Sequence, residues 1–317
     1  MSGTAQTSAS LRTPVGATPL ADGGPAGRRP AEAGPPPNAS PTTRPAGAHS
    51  CGVHATARIR AAHNGRTTTV PLLHHDGPFH LRRLRARGER ARVRVLGAMS
   101  APLGGDRLAL DVAAGARTRL EVTTAAATIA LRGSTTDPAT YAVRIAVGEH
   151  ASLHWLPEPL ISTRGSTLHQ TFDVDLAATS HLLMREEQLL GRSGEPPGHL
   201  TTRLTVRRAG RPLLVQHTAY GAPAPAWDGP AVLGGHRATG QLLLVDPELD
   251  TPQEPRVIGD DPAKGHAVLT PLADAQALVA TAVAPTPALL RHLLDTALAV
   301  VHATPGREGG PERETRS

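Results

Sequence analysis

Arg107-Leu108-Ala109-Leu110-Asp111-Val112 runs to a turn at Ala114-Gly115 and re-emerges as Arg119-Leu120-Glu121-Val122. Polar and apolar residues alternate through both runs, and a period of two places every apolar side chain on one face of an extended strand. The same alternation holds in Arg92-Val93-Arg94-Val95-Leu96, Tyr141 to Val147, Phe172 to Leu176 and Thr202-Arg203-Leu204-Thr205-Val206. Turn residues separate these runs at short intervals: Leu103-Gly104-Gly105-Asp106, Val147-Gly148-Glu149 and Ala209-Gly210-Arg211-Pro212. Gly and Asp tolerate the backbone conformations that such turns demand. The expectation is an all-β fold, an elongated β-helical or layered sheet core of many short strands. One segment departs from it. Thr286 can cap a helix with Pro287 at its first position, followed by Leu289, Leu290, Leu293, Leu294, Ala297 and Leu298 at helical spacing. This predicts a single C-terminal α-helix whose leucine stripe packs on the sheet.

The two ends read differently. Residues 1–50 are dominated by Pro, Gly, Ala, Ser and Thr, as in Gly34-Pro35-Pro36-Pro37-Asn38, without the apolar periodicity that offsets the entropy of ordering a chain. Residues 304–317, with Gly306, Gly309, Gly310 and Pro311, have the same character. Both are expected to be disordered tails around a folded unit at 51–303. The 317 residues and 39% hydrophobic content allow a proper core. Cys51 is the only cysteine, so no intramolecular disulfide forms, which favours a reducing compartment. No apolar run follows Arg12, and Leu278 to Val301 is interrupted by Pro285, Pro287, Arg291, His292 and Asp295. It falls short of the roughly 20 apolar residues of a spanning helix. A cytoplasmic protein with no membrane segment is expected.

A formal net charge of +6 invites an anionic partner. Lys264 is the only lysine, however, and the wealth of Arg, Ala, Gly and Pro reads as GC-biased coding. Aromatics make up 2% of the chain, too few to offer stacking platforms, so no nucleic acid is expected. No nucleophile elbow, phosphate loop, H-E-x-x-H or paired C-x-x-C occurs, and an enzyme is not expected. Sixteen histidines suggest metal, with Cys51-Gly-Val-His54 and His74-His75 as the best groupings, but neither repeats the ligand set of a structural site. The arginines Arg82, Arg83, Arg85, Arg87, Arg90, Arg92 and Arg94 are either a solvated strand face or a surface for an acidic partner. The proline-rich segment holding Asp246, Glu248, Asp250, Glu254, Asp260 and Asp261 reads as an exposed loop, solvated or loosely holding a divalent ion.

Pro102-Leu103-Gly104-Gly105-Asp106, Gly115-Ala116-Arg117 and Val122-Thr123-Thr124-Ala125-Ala126-Ala127 occur in that order. They are followed by Trp155-Leu156-Pro157-Glu158-Pro159, Glu186 to Arg192 with its L-G-R ending, and Arg211-Pro212-Leu213. This collinear set resembles the urease accessory protein D family (UreD, also UreH) over about residues 51–300. Thr128 departs from it, standing where the family usually has Lys, and Gly191 to Glu195 is shorter than the usual form.

The resemblance implies a β-helical scaffold rather than an enzyme. It would bind a helical F-type accessory protein, which recruits a GTP-hydrolysing G-type partner, and the assembly would dock on apo-urease. Nickel would be transient cargo along an internal polar path, with no tightly bound cofactor. Asp106 of the G-G-D turn, Glu158 after W-L-P and Glu186 are the candidate path carboxylates, because oxygen ligands hold nickel more weakly than His or Cys and leave transfer reversible. The plain alternatives are a turn cap for Asp106, a strand-end residue for Glu158 and an arginine partner for Glu186. For the whole chain, the alternative is a β-rich interaction scaffold without metal transit.

Overall fold

A computed structural model describes residues 52–249, 254–273 and 276–303. Both tails expected to be disordered lie outside these residues, as does Cys51. In chain order the strands are β1 (His54–His63), β2 (Thr68–His74), β3 (Phe79–Arg87), β4 (Arg90–Gly97), β5 (Arg107–Ala114) and β6 (Arg119–Thr124). They continue as β7 (Thr128–Ala130), β8 (Ala139–Val147), β9 (Ser152–Leu156), β10 (Leu160–Ser162), β11 (Thr167–Leu176) and β12 (His181–Leu190). The last are β13 (His199–Arg208), β14 (Arg211–Tyr220), β15 (Ala238–Val245), β16 (Arg256–Ile258), β17 (His266–Pro271) and β18 (Ala277–Ala284), followed by helix α1 (Pro287–Ala303).

Every alternating run read from the sequence is a strand, and the strands form two sheets. A seven-stranded sheet has the order β14-β13-β11-β8-β5-β1-β2, and an eleven-stranded sheet runs β16-β17-β18-β15-β12-β9-β6-β4-β3, with β10 and β7 attached beside β12. The middle of each sheet is parallel, because the chain passes from one sheet to the other and returns one rung further on. Arg107 stands beside Thr140, Thr140 beside His169 and His169 beside Thr201, so each coil takes about 30 residues. Antiparallel hairpins close both ends.

The turns stack as well as the strands. Gly115 donates to Ala61, Gly148 to Ala114, Ala177 to Val147 and Ala209 to Leu176, each through backbone N–H to carbonyl. The hydrogen-bond ladder therefore runs on through the corners, and their backbone polar groups are satisfied without side chains. Ala209 and Gly210 both have positive φ, 48° and 76°, which is the conformation a two-residue hairpin needs to match strand twist.

Between the sheets lies one core, with Ile59, Leu110, Ile145, Leu168 and Leu204 of the smaller sheet facing Leu81, Leu120, Leu153, Leu182 and Met184 of the larger. Helix α1 covers the other face of the larger sheet. The predicted cap is present: Thr286 Oγ1 accepts from Leu289 N at 3.3 Å, with Pro287 beginning the helix. Leu290, Leu293, Leu294, Ala297 and Val301 are buried against Leu242, Leu278, Ala280 and Ala282. Each of the larger side chains contributes roughly 1.5–3 kcal/mol to docking the helix. Gly240 of β15 permits the close approach, since a Cβ there would lie 2.6 Å from the Glu186 carbonyl oxygen and 3.2 Å from Leu294.

The acidic segment corrects the sequence reading in one place. Glu248, Glu254, Asp260 and Asp261 are exposed, but Asp246 is buried and accepts the Glu248 N–H at 2.9 Å. It closes the turn after β15, and His181 Nδ1 lies 3.2 Å from its Oδ1. Asp250 lies outside the described residues.

Candidate functional site

The sequence Leu156-Pro157-Glu158-Pro159 interrupts the larger sheet. β9 pairs with His181–Met184 of β12 and β10 with Gln188–Leu190, both in parallel, leaving Arg185, Glu186 and Glu187 unmatched on that edge. Pro157 and Pro159 have no N–H to give the ladder, so the pairing stops there. A second break, between β6 and β7, lies alongside, tied across by Glu158 N donating to Thr124 Oγ1 at 2.8 Å.

Behind this gap lies a cavity of about 30 Å³ whose walls include Glu158, Glu186, Gln188, Gln170, Tyr141 and Trp155. A second cavity of about 40 Å³ lies beyond, walled by Thr202, Gln216, Thr218, Tyr220, Gln241 and Thr281, and it shares Glu186 and Gln188 with the first. Each has room for one or two water-sized groups. The two form a polar seam through the end of an otherwise apolar core. Its residues occupy the inward phase of their strands: Gln170 lies between Leu168 and Phe172, Thr202 between Leu200 and Leu204, and Glu186 and Gln188 follow Leu182 and Met184. Gln188 Nε2 donates to Thr202 Oγ1 at 3.2 Å, holding the two sheets together across the seam.

Glu186 is 7% exposed, and its Oε1 is buried with no hydrogen-bond partner. Desolvation pushes its pKa from 4.5 up to about 8, so at neutral pH it is mostly a protonated acid. Burial, and then the proximity of Glu186, hold the Tyr141 phenol above its usual pKa. Burial does the same for Tyr220, against hydrogen bonds with Thr239 and Thr218 that favour its ionised form.

Glu187, the next residue, faces helix α1, and its side chain is 0% exposed. Arg291 Nε donates to Glu187 Oε1 at 2.9 Å, and Arg291 Nη2 lies 3.1 Å from both Glu187 Oε2 and Glu158 Oε2. Arg185 Nε lies 3.0 Å from Glu187 Oε1, ion-pair distance without hydrogen-bond alignment, and Arg185 Nη1 donates to Asp295 at 3.0 Å. The hydrogen bonds that Arg291 donates to Glu187, and secondarily to Glu158, hold its pKa above the ordinary value against partial desolvation.

The structure thus brings Glu158 and Glu186 to one cavity. Asp106 lines neither of the two. It is 2% exposed; Oδ1 accepts from Val53 N at 2.7 Å and Oδ2 from Leu103 N at 2.8 Å. Gly105, with φ of 92°, bends the chain so that this carboxylate points back into its own turn. Asp106 therefore joins the start of β1 to β5. Asp106→Ala is expected to cost about 2–4 kcal/mol by orphaning two half-buried N–H groups, a loss read as a lowered thermal midpoint.

Of the two histidine groupings, the one with Cys51 extends outside the described residues, and His74-His75 does not converge on a site. His75 Nδ1 accepts from Leu81 N at 2.8 Å and its ring stacks on His80, while His74 is exposed. Among the described residues no three His, Cys, Asp or Glu groups are placed to hold a metal ion, and no helix is long and apolar enough to cross a membrane. Of the arginine run, Arg82, Arg83, Arg85 and Arg87 are exposed on β3, whereas Arg92 pairs with Glu121 at 2.7 Å. Sequence reading passed over Glu187 and Arg291. The available signal was Glu186-Glu187-Gln188, three polar residues in the middle of a strand where alternation allows one outward position in two.

Comparison with known proteins gives a consistent result. The model of the family described as UreD urease accessory protein matches residues 53–316. Urease accessory protein UreD 2 of Saccharopolyspora erythraea is 61% identical over 260 residues, covering 82% of this chain and 92% of that one. Urease accessory protein UreD 3 of Streptomyces griseus is 56% identical over 252 residues, covering 78% and 96% respectively. A more distant relative, Urease accessory protein UreD of Frankia casuarinae, is 35% identical and covers 81% of each chain.

Proposed function

This chain belongs to the UreD family of urease accessory proteins, and from that premise we propose that it is a non-enzymatic scaffold that conducts nickel toward apo-urease. Its partners in this reading are the F-type accessory protein, the GTP-hydrolysing G-type protein and apo-urease itself, in the cytoplasm. Nickel is cargo and no cofactor is retained. The observation that carries the reading is Glu186, a buried residue whose carboxyl oxygen Oε1 has no hydrogen-bond partner, at the junction of two polar cavities.

The chemistry of the seam suits transit. Carboxylate, amide and hydroxyl oxygens hold nickel less firmly than imidazole or thiolate, and Glu186, Gln188, Gln170, Thr202, Gln216, Thr218 and Gln241 supply only these. A desolvated carboxyl favours its neutral form until a cation replaces the proton. Glu158, with a side chain 40% exposed, stands at the outer end beside the gap in the sheet, and Thr281 is exposed at the other. Glu158, Glu186 and Thr281 thereby mark an entry, a midpoint and an exit.

The test is urease nickel content in cells that express the urease subunits with the F- and G-type partners, with this chain present, absent or carrying Glu186→Gln. Omission is expected to leave urease without nickel. Glu186→Gln is expected to lower nickel roughly tenfold, the scale on which loss of a group near a metal acts, while the accessory complex still assembles. Unchanged nickel with soluble Glu186→Gln would remove the path and leave a β-rich interaction scaffold without metal transit.

A further inference from the structure

The outer carboxylate of the seam is already engaged by a cation. Arg291 Nη2 lies 3.1 Å from Glu158 Oε2 and 3.1 Å from Glu187 Oε2, and its Nε holds the second oxygen of Glu187 at 2.9 Å. One guanidinium therefore spans the two carboxylates that flank the break between β9 and β10. A metal ion approaching Glu158 from outside would compete for the same oxygens, and while Arg291 stays it would also meet like charge at close range. Arg185 adds a second positive group on the same side, 3.0 Å from Glu187 and 3.0 Å from Asp295. Inside the gap the situation is reversed: Glu186 Oε1 is buried and bare of partners, so an ion that passed the mouth would meet an acceptor.

Deepening the nickel-path reading, on which it rests, we infer that Arg291 is a cation latch: its guanidinium closes Glu158 and Glu187 to divalent metal until helix α1 shifts and withdraws it. The placement on α1 makes withdrawal a rigid-body event. Leu290, Leu293, Leu294, Ala297 and Val301 dock the helix by apolar contact, which is non-directional and tolerates sliding, whereas Arg291 and Asp295 add an ionic row one turn apart that depends on register. His292 and Ala299 on its remaining surface are exposed. A small displacement of α1 therefore breaks the latch well before the helix leaves the sheet.

Equilibrium dialysis of the full chain against nickel chloride alone tests this, on wild type, Arg291→Met, Arg291→Lys and the double variant Arg291→Met with Glu158→Gln, each checked for native circular dichroism. Arg291→Met is expected to bind nickel roughly tenfold tighter than wild type or better, since a unit positive charge has left the site. Arg291→Lys, which restores the charge, should return to the wild-type affinity, and the double variant should lose the gain. Arg291→Gln, which keeps a donor for Glu187, is read in place of Arg291→Met if the latter does not fold. Unchanged nickel affinity in the folded variant, or a gain that survives Glu158→Gln, overturns the latch. The measurement is independent of urease: a loss of the path through Glu186→Gln leaves these dialysis results standing, and the reverse combination removes the latch alone.

Discussion

Glu187→Ala is expected to lower the unfolding free energy by about 3–5 kcal/mol, the usual cost of removing one member of a buried ionic network. Its side chain is fully buried between Arg185 and Arg291, whose own side chains are 15% and 31% exposed. Truncation leaves a hole between the two guanidinium groups, with Arg291 reduced to the partly exposed Glu158 and Arg185 to Asp295, and neither can turn fully to solvent. Helix α1 should loosen with the network, because Arg291 and the Arg185–Asp295 pair are its only described ionic ties to β12. The measurement is denaturant unfolding together with hydrogen exchange of α1 amides: a lower midpoint with selective loss of protection in Pro287–Ala303 is the expected pattern. Arg291→Met should cost less, because Glu187 keeps Arg185. A Glu187→Ala protein as stable as wild type would show that the network is decorative.

The second large effect is a pH dependence carried by Glu186. Its pKa is about 8 in the fold and 4.5 as the reference, so between those values the native state binds a proton that the unfolded chain has released. Stability therefore falls as pH rises from about 4.5 to about 8, because the unfolded state is increasingly favoured by ionising a carboxyl that the core keeps neutral. At about 1.36 kcal/mol per pKa unit the full swing is on the order of 5 kcal/mol. Glu186→Gln is neutral at every pH, so its advantage over wild type should be small at pH 5 and grow toward pH 8. Parallel stability curves for the two proteins across that range would place the Glu186 carboxyl in contact with solvent or a counter-charge.

Both effects arise from a short run, Arg185 to Gln188, and it shows how far sequence reading reaches. β12 alternates from Leu182 to Met184, and an alternating strand assigns each residue to one face or the other by parity alone. Parity sends Glu186 and Gln188 inward and Arg185 and Glu187 outward, so the buried acid was legible as an anomaly. That Glu187 would be equally buried was not, because its cover is Arg291 of a helix 104 residues further along. Similarly, Pro157 and Pro159 announced a strand that could not stay paired, but not that the gap would open on Glu186. Asp106 illustrates the converse: the G-G-D turn was read correctly as a turn, and its carboxylate, grouped with the path by resemblance, is taken up by Leu103 and Val53.

By itself the sequence determined the strands, their inward faces, the turns and the capped terminal helix, together with the family, because all of these are written in local periodicity and in short collinear motifs. Only the tertiary structure decided which strands lie side by side, that two cavities meet at Glu186, and that Arg291 spans Glu158 and Glu187. The reason is physical. Side-chain periodicity is imposed by backbone geometry within a few residues, whereas the seam and its latch are assembled by coil-to-coil stacking and by the docking of α1, contacts between residues far apart in the chain.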